Sequence, residues 1–466
     1  MQTSIKKGQS LTIDIDDLAF GGKGISKIDG FVIFTEDVVP GDKVDVIITR
    51  KKSSFAEARV TEYHKRGLKY VDPPCEHFTY CGGCRWQNLD YSEQIHFKQK
   101  QVEESLSHIA GLSNLPFLKI IAADPIYSYR NKMEFTFSNK RFVTREEFDD
   151  PELDRHYALG LHVPRIFDKV LPIDRCHIQD DIFNGILNMV NSFVKDSGIP
   201  VYDLKSHQGV WRFLMLRKGH HSDEYMINIV TSKPVKNELK ELIGQLVEHY
   251  PQIKSIVNNL NRRVSQTAIG EEEILLYGKA TITDYLGPYQ FEISANSFFQ
   301  TNTLQAEKMY DCIKSFLNLT GKELVFDLYC GTGTIPIYLA DSVKSVHGFE
   351  LVESAIADAN KNCDRLNIDN CFFHTGDVRY VLPQFADLNP DIIIMDPPRA
   401  GLHPDVVESV MDLAVNDLIY VSCNPATLAR DINVLKTMYT IEKVQVIDMF
   451  PHTYHIETIV KLGKSV

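Results

Sequence analysis

The sequence has no apolar run long enough to span a bilayer, and its first residues, Met-Gln-Thr-Ser-Ile-Lys-Lys, lack the hydrophobic core of a signal peptide. The first absence excludes a helical membrane span; together they predict a cytoplasmic protein with no membrane partner. An excess of positive charge is also missing. Lys and Arg number 50 against 62 Asp and Glu, a net charge of −12, which argues against a general polyanion binder. The charge is uneven, since residues 1–69 are slightly basic and the remainder carries the acidity. Nucleic-acid contact must therefore rest on local patches. A disulfide framework is the wrong reading of the nine cysteines: the number is odd and three are tightly grouped, which in a reducing compartment points to a metal site.

A chain of 466 residues exceeds one core, so several domains are expected. Within 1–66, short alternating runs recur at Leu11–Ile15, Gly30–Phe34, Lys43–Ile48 and Ala56–Val60, punctuated by Gly21, Gly22, Gly24 and Pro40-Gly41-Asp42. This predicts a small all-β, OB-like barrel of the kind that offers a face and loops to oligonucleotides, with Thr49-Arg-Lys-Lys52 placed to touch phosphate. The Gly-x-Gly-Ile run at Gly22–Ile25 and the Pro-Gly-Asp turn resemble the TRAM domain, an RNA-binding module.

Next comes Cys75-x5-Cys81-Gly-Gly-Cys84. Gly82 and Gly83 let the backbone curl so that thiolates converge, and Cys176 is the best candidate for a fourth ligand. Spacing leaves zinc and an iron–sulfur cluster both open. The middle of the chain predicts an α+β module that shapes a substrate groove. Its elements are a helix over Glu93–Ala110, a strand over Tyr127–Phe137 and a helix over Lys236–Glu248. Strands at Gly209–Arg217, Glu224–Val230 and Ser255–Leu260 follow, the first two in one antiparallel sheet. Arg130 and Lys132 alternate with aromatics on the first strand, a pattern that suits single-stranded RNA and equally a half-buried edge with a solvated face.

From 291 onward a βα rhythm sets in. Leu324–Asp327, the glycine turn Cys330-Gly-Thr-Gly333 and a helix lead to a second strand ending in Glu350. A strand–glycine turn–helix–strand–acid unit holds a ribose-bearing cofactor. The third glycine of the dinucleotide fingerprint is absent, which disfavours a dehydrogenase. Asp-x-x-Cys-Gly-x-Gly is the pattern of S-adenosylmethionine-dependent methyltransferases. Further strands end at Asp377, Asp396 and Cys423, so Asp327, Glu350, Asp377, Asp396 and Cys423 are expected on one rim.

A thiol on that rim has a chemical use. Transfer to nitrogen or oxygen needs only a lone pair on the acceptor, but C5 of uracil becomes nucleophilic only after something adds to C6. A thiolate can add there, and a base must then remove the C5 proton. Glu457, a carboxylate among apolar neighbours, is the candidate base.

These motifs together resemble the RNA 5-methyluridine methyltransferase family across essentially the whole chain, and most closely its bacterial 23S ribosomal RNA branch. The resemblance rests on the four cysteines, Ser297-Phe-Phe-Gln-Thr-Asn302, Asp327–Gly333, Asp396-Pro-Pro-Arg399, Ser422-Cys-Asn-Pro425 and Pro451-His-Thr-x-His-Ile-Glu457. It implies Cys423 as nucleophile and Glu457 as base. Gln300, Tyr329, Gly331, Glu350, Asp377 and Asp396 are implied as S-adenosylmethionine contacts, and Cys75, Cys81, Cys84 and Cys176 as ligands of a [4Fe-4S] cluster, with zinc as the alternative. The implied architecture is a multi-domain chain: a TRAM-like barrel at 1–66, a central α+β domain at 70–92 and 126–285, and a Rossmann-like α/β methyltransferase domain at 93–125 and 286–466. The implied partner is a single-stranded loop of 23S rRNA, with one or two uridines served and no obligate protein partner. Transfer RNA is the alternative substrate, and a non-catalytic RNA-binding iron–sulfur protein the alternative class. Arg145–His156 matches no motif of the family and is expected to be a surface loop.

Overall fold

The computed structural model describes residues 5–166 and 168–465. The N-terminal sheet comprises β1 (Ser10–Asp14), β2 (Asp17–Leu18), β3 (Gly24–Ile28), β4 (Phe31–Thr35), β5 (Lys43–Lys51) and β6 (Phe55–Lys65), in the order β1-β5-β6-β4-β3-β2. Alternate residues Val44, Val46 and Ile48 of β5 are buried with Ile13, Ile33 and Ala56, as one-sided strands require. The Pro40-Gly41-Asp42 turn is an anchor. The buried Asp42 carboxylate accepts from Val39 N (2.9 Å), Gly67 N (2.7 Å) and Arg66 Nη1 (3.1 Å), closing the sheet against the chain that leaves it.

Helix α1 (Tyr91–His108) follows, with Asp90 accepting from Ser92 N at 2.9 Å as its N-cap. The middle sheet has seven strands. These are β7 (Lys132–Ser138), β8 (Ala158–His162), β9 (Val170–Pro172), β10 (Trp211–Lys218), β11 (Tyr225–Thr231), β12 (Ile253–Leu260) and β13 (Glu272–Gly278), ordered β13-β12-β11-β10-β7-β8-β9. Helices α2 (Asp181–Asp196) and α3 (Lys240–His249) share its apolar core. β10 and β11 pair antiparallel as expected, but β12 lies parallel to β11, because α3 is a crossover that returns the chain to the same end. The strand expected from Tyr127 starts only at Lys132. Upstream, the backbone is engaged elsewhere: Ser128 N donates to His177 O (3.0 Å), Arg130 N to Ile178 O (2.9 Å) and Asn131 N to Thr301 O (2.9 Å). Residues 145–156 form turns, and Tyr80 OH donates to Glu146 Oε2 (3.2 Å), tying this acidic segment to the cysteine stretch.

A hairpin, β14 (Thr281–Leu286) and β15 (Tyr289–Ser294), and helix α4 (Thr303–Phe316) lead into the last sheet. Its elements are β16 (Leu324–Leu328), α5 (Thr334–Leu339), β17 (Ser345–Glu350), α6 (Glu353–Leu366), β18 (Cys371–Thr375), α7 (Val378–Val381), β19 (Ile392–Met395), α8 (Pro404–Leu413), β20 (Asp417–Ser422), α9 (Pro425–Leu435), β21 (Tyr439–Ile447) and β22 (Glu457–Lys464). The strand order is β18-β17-β16-β19-β20-β22-β21, with the first five parallel and β22 antiparallel to both neighbours. Alternation along the strands builds two apolar layers: Val325, Ile394 and Val421 pack toward α4, and Phe326, Ile393 and Tyr420 toward α1, α8 and α9. All of Ile392–Met395 is buried, as a central parallel strand must be. Residues 117–121 run beside β21, with Leu118 N donating to Val444 O (2.8 Å) and Ile121 N to Val446 O (3.0 Å), so early sequence finishes the late sheet. Among the described residues, no helix is long and apolar enough to cross a membrane.

Candidate active site at the rim of the last sheet

The strand order reverses at β16, with β17 on one side and β19 on the other, and open α/β sheets bind ligands at such a switch. Glu350 ends β17, Tyr329 follows β16, Asp396 follows β19 and Cys423 follows β20. β22 runs the opposite way, so its first residue, Glu457, sits on the same rim. The register pairs Ser422 with Thr458, the residues next to Cys423 and Glu457, and the Glu457 charge acts on the Cys423 thiol.

The local sequence explains how the thiol is held. Pro425 occupies the first turn of α9, and Asn424 caps it by accepting from Ala426 N (3.1 Å). Cys423 is thus fixed between a strand end and a helix cap. Asn424 Nδ2 and Thr427 Oγ1 both donate to Arg399 O (3.0 and 3.3 Å), which pins the Asp396–Arg399 turn against it.

Each of these groups keeps some open surface, yet the surroundings are mostly protein. Burial pushes the Cys423 thiol up to about 11, and the neighbouring Glu457 and Asp396 charges add to the rise while Arg399 opposes it. Burial, then Asp396, lifts Glu457 well above the usual carboxylate range, again against Arg399. Burial raises Asp396 to about 7. Arg399 is the cation that offsets these groups; its Nη2 lies 3.3 Å from His455 Nδ1, and burial followed by Arg399 holds His455 down at about 4, so the ring is neutral.

The cofactor-side residues gather around β16. Tyr329 (φ +70°) and Gly331 (φ +54°) turn the chain, and Gly331 N donates to Glu350 Oε2 (3.2 Å). A Cβ on Gly331 would meet no atom within 4 Å, whereas one on Gly333 would strike Phe373 Cζ at 2.7 Å. The first glycine therefore leaves an open cradle and the second permits close helix–sheet packing. Asp327 is buried with no hydrogen-bond partner on either oxygen among the described residues, and burial, then Asp396 and Glu350, raise it well above the carboxylate range. Gln300 lies in a loop clasped to this turn: Thr332 Oγ1 donates to Phe298 O (3.2 Å) and Asn131 Nδ2 to Gln300 O (2.9 Å). Asp377 stands apart. It caps α7 and pairs with Arg379 (2.5 Å), which lowers its pKa, so its carboxylate is committed within its own turn. An unpaired buried acid beside an open glycine and Glu350 fits a cationic, sugar-bearing ligand.

Away from the rim, Cys75, Cys81, Cys84 and Cys176 line one cavity of about 290 Å³, with Arg130 at its wall. Burial raises all four thiols, Cys81 to about 12. Among the described residues, the only group of three or more potential ligands with donor atoms mutually within 4.8 Å is Asp45, Glu62 and His64, so no three of these sulfurs are that close.

Sequence reasoning missed the scaffold behind Glu457. Lys98 Nζ, on α1, donates to Asp448 Oδ1 (2.6 Å) and Phe450 O (2.9 Å), and Tyr91 OH to Asp448 Oδ2 (2.9 Å). From α4, Gln305 Nε2 donates to Asp448 O (2.8 Å) and Asn302 Nδ2 to Met449 O (3.0 Å). The one available signal was a lysine in the middle of an amphipathic helix; its partner lies at the far end of the chain.

Acid-tipped parallel strands around a glycine turn, with an antiparallel last hairpin, define a methyltransferase fold of the S-adenosylmethionine-dependent class. The tRNA (Uracil-5-)-methyltransferase family model matches residues 219–375 and 381–465, and the TRAM domain model matches residues 5–61. An uncharacterised RNA methyltransferase of Bacteroides thetaiotaomicron is 40% identical over 452 residues, covering 96% of this chain and 99% of that one. One from Chlorobaculum tepidum is 38% identical over 97% of this chain and 96% of its own. The crystal structure of Pyrococcus abyssi tRNA (uracil-54, C5)-methyltransferase in complex with S-adenosyl-L-homocysteine superposes with a TM-score of 0.75 at 28% identity, covering 97% of this chain and all of that one. The chain belongs to the RNA (uracil-5-)-methyltransferase family and is an S-adenosylmethionine-dependent RNA methyltransferase with an N-terminal TRAM domain.

Proposed function

We propose that the protein methylates C5 of uridine in 23S ribosomal RNA, with Cys423 as nucleophile and Glu457 as base. The observation that supports the chemistry is the β20–β22 register, in which Ser422 and Thr458 pair next to Cys423 and Glu457, together with the Glu457 charge acting on the Cys423 thiol. In this reading the Cys423 thiol gives up its proton to solvent, Sγ bonds to C6 as the C5–C6 double bond opens, and C5 becomes the nucleophilic carbon of an enolate. S-adenosylmethionine, when bound, supplies the methyl group. Glu457 then takes the C5 proton, the C6–S bond breaks, and the thiol is restored. Glu350 is suited to the ribose hydroxyls, Asp327 and Asp396 to a cationic group, and Gln300, Tyr329 and Gly331 to the wall of the same pocket. Asp377 is the weakest of the proposed contacts because Arg379 already holds it.

The four-cysteine cavity belongs to the same proposal. The four thiols face one cavity of about 290 Å³, which supports a group held by four thiolates, a [4Fe-4S] cluster with zinc as the alternative. The domain division at 1–66, 70–92 with 126–285, and 93–125 with 286–466 is part of this reading; the packing of α1 and residues 117–121 on the last sheet supports the early segment, while the β14–β15 hairpin, which packs with α4, moves the last boundary back to about residue 280.

A second reading, methylation of a transfer RNA uridine, is favoured by the full-length likeness to the Pyrococcus abyssi enzyme. Mapping 5-methyluridine in both RNAs from cells with and without the protein tests the choice. Loss from 23S rRNA is expected. Loss from transfer RNA alone would replace the substrate, and loss from neither would overturn the function.

A further inference from the structure

We propose that His452 is a positioning residue that makes the placement of Glu457 depend on the loading of the four-cysteine site. This rests on the reading of Glu457 as base and of the cysteines as ligands. His452 adopts the left-handed region (φ +64°), which is costly for a residue with a Cβ although histidine visits it more often than most, so the contacts that hold it there matter. Two grips hold it: the first is one residue from a cysteine, and the second reaches the residue after a cysteine through one further contact. Arg85 N and Trp86 N both donate to His452 O (2.8 and 3.0 Å), and Arg85 directly follows Cys84. The His452 ring stacks on Tyr127 (4.3 Å between centroids, 21° between planes). Tyr127 meets His177 edge-on at 6.4 Å, Ser128 N donates to His177 O (3.0 Å), and His177 directly follows Cys176.

A third partner, Gln94 of α1, accepts from His452 N (2.8 Å) and sets its Nε2 3.2 Å from the ring Nδ1. Only Thr453 to Ile456 separate His452 from Glu457. That link is stiff, because Thr453 Oγ1 donates to Phe450 O (2.8 Å), His455 N donates to Thr453 Oγ1 (3.2 Å) and Ile456 is buried. Cys84 and Cys176 lie in different segments of the chain. When their sulfurs share one metal group, the two grips keep a fixed spacing and His452 is held. Without that bond the segments move independently, and the strained residue has a route out of its conformation that carries Glu457 away from Cys423.

The test is hydrogen exchange on the full-length protein, purified anaerobically and again after chemical removal of the metal, with loading read as metal content and visible absorbance. Amides of residues 450–458 should exchange about tenfold faster in the stripped protein, while β16 and β19 stay unchanged and S-adenosylhomocysteine affinity moves by less than about twofold. Tyr127→Leu removes the stacking partner without touching the rim. In loaded protein it should speed the same amides roughly fivefold, lower kcat with KM for S-adenosylmethionine unchanged, and leave stripping with little further effect. His452→Gly, which keeps the left-handed backbone and loses the ring, should behave like Tyr127→Leu. Equal exchange in loaded and stripped protein, a silent Tyr127→Leu, or a protein that never carries metal would each overturn the proposal. Coupled exchange with no 5-methyluridine formed in any RNA would leave the coupling standing and remove the catalytic reading instead.

Discussion

Asp448 and Glu457 lie at opposite ends of the loop that enters β22, and the fold treats them in opposite ways. Asp448 is fully buried and fully paired, with Lys98 on one oxygen and Tyr91 on the other. Glu457 has no such partner. It stands near Cys423 and Asp396, and among the described residues Arg399 is the cation that opposes the crowding. The same contrast holds more widely: Asp42 and Asp377 are satisfied by backbone amides and arginines, whereas Asp327 has both oxygens orphaned. Desolvating a carboxylate costs several kcal/mol unless something compensates it. Where compensation is built in, the acid is holding structure together. Where it is withheld, the site is waiting for a ligand's charge or proton.

The sharpest way to break this comparison is at the thiol. Cys423→Ala should lower methyl transfer by about 10⁴-fold or more, since no other group on the rim can add to C6, while S-adenosylhomocysteine binding stays within a few-fold of the parent. RNA carrying 5-fluorouridine should form a covalent adduct with the parent and none with the variant, read on a denaturing gel. An adduct with Cys423→Ala would move the nucleophile elsewhere.

Glu457→Gln comes next, with turnover down by about 10³-fold and the C6 adduct accumulating on ordinary uridine RNA, because elimination needs the proton acceptor. Turnover near the parental rate would show that the base is another group. On the paired side of the comparison, Lys98→Met should leave the buried Asp448 without its cation, with only the neutral donors Tyr91 OH and Phe450 N remaining, and cost about 3 kcal/mol in chemical unfolding. Adding Asp448→Asn should recover part of that loss. If the double variant is no better than the single one, the pair is not the source of the cost.

Much of this arrangement was legible in the sequence. The ends of β16, β17, β19 and β20 could be read as one rim because hydrophobic runs with period-breaking glycines mark parallel strands, and Asp-x-x-Cys-Gly-x-Gly and Ser-Cys-Asn-Pro mark where they stop; Asp377, expected on the same rim, instead caps α7 and pairs with Arg379. The direction of β12 was not legible, because alternation reports which face is buried and says nothing about which neighbour runs which way. Nor was the strand start at Lys132, since residues 128–131 look extended but bond to loops of two other segments. The Lys98–Asp448 pair and the grips on His452 join residues hundreds of positions apart, and no local pattern encodes them. The candidate nucleophile and base were identifiable from residue type and chemistry; what positions them was not.

The smallest effect is the most diagnostic of a withheld partner, and it concerns Asp396. Its pKa is raised to about 7 by burial, so the folded chain holds its proton more tightly than the unfolded chain does. Between the ordinary carboxylate range and pH 7 the unfolded chain ionises while the folded one resists. The stability contribution is therefore greatest in acid and falls as pH rises through that window, levelling off once the folded group also ionises. Asp396→Asn removes the penalty and should stabilise the ligand-free protein at pH 8 by about 1–2 kcal/mol, a figure discounted for the part of the side chain open to water. At pH 4 the gain should vanish. The same substitution lowers the negative charge facing Glu457, so the pH at which half-maximal rate is reached should shift down, while S-adenosylmethionine binds more weakly. A protein stabilised equally at pH 4 and pH 8 would mean that Asp396 is not a strained acid, and the line between paired and withheld carboxylates would have to be redrawn without it.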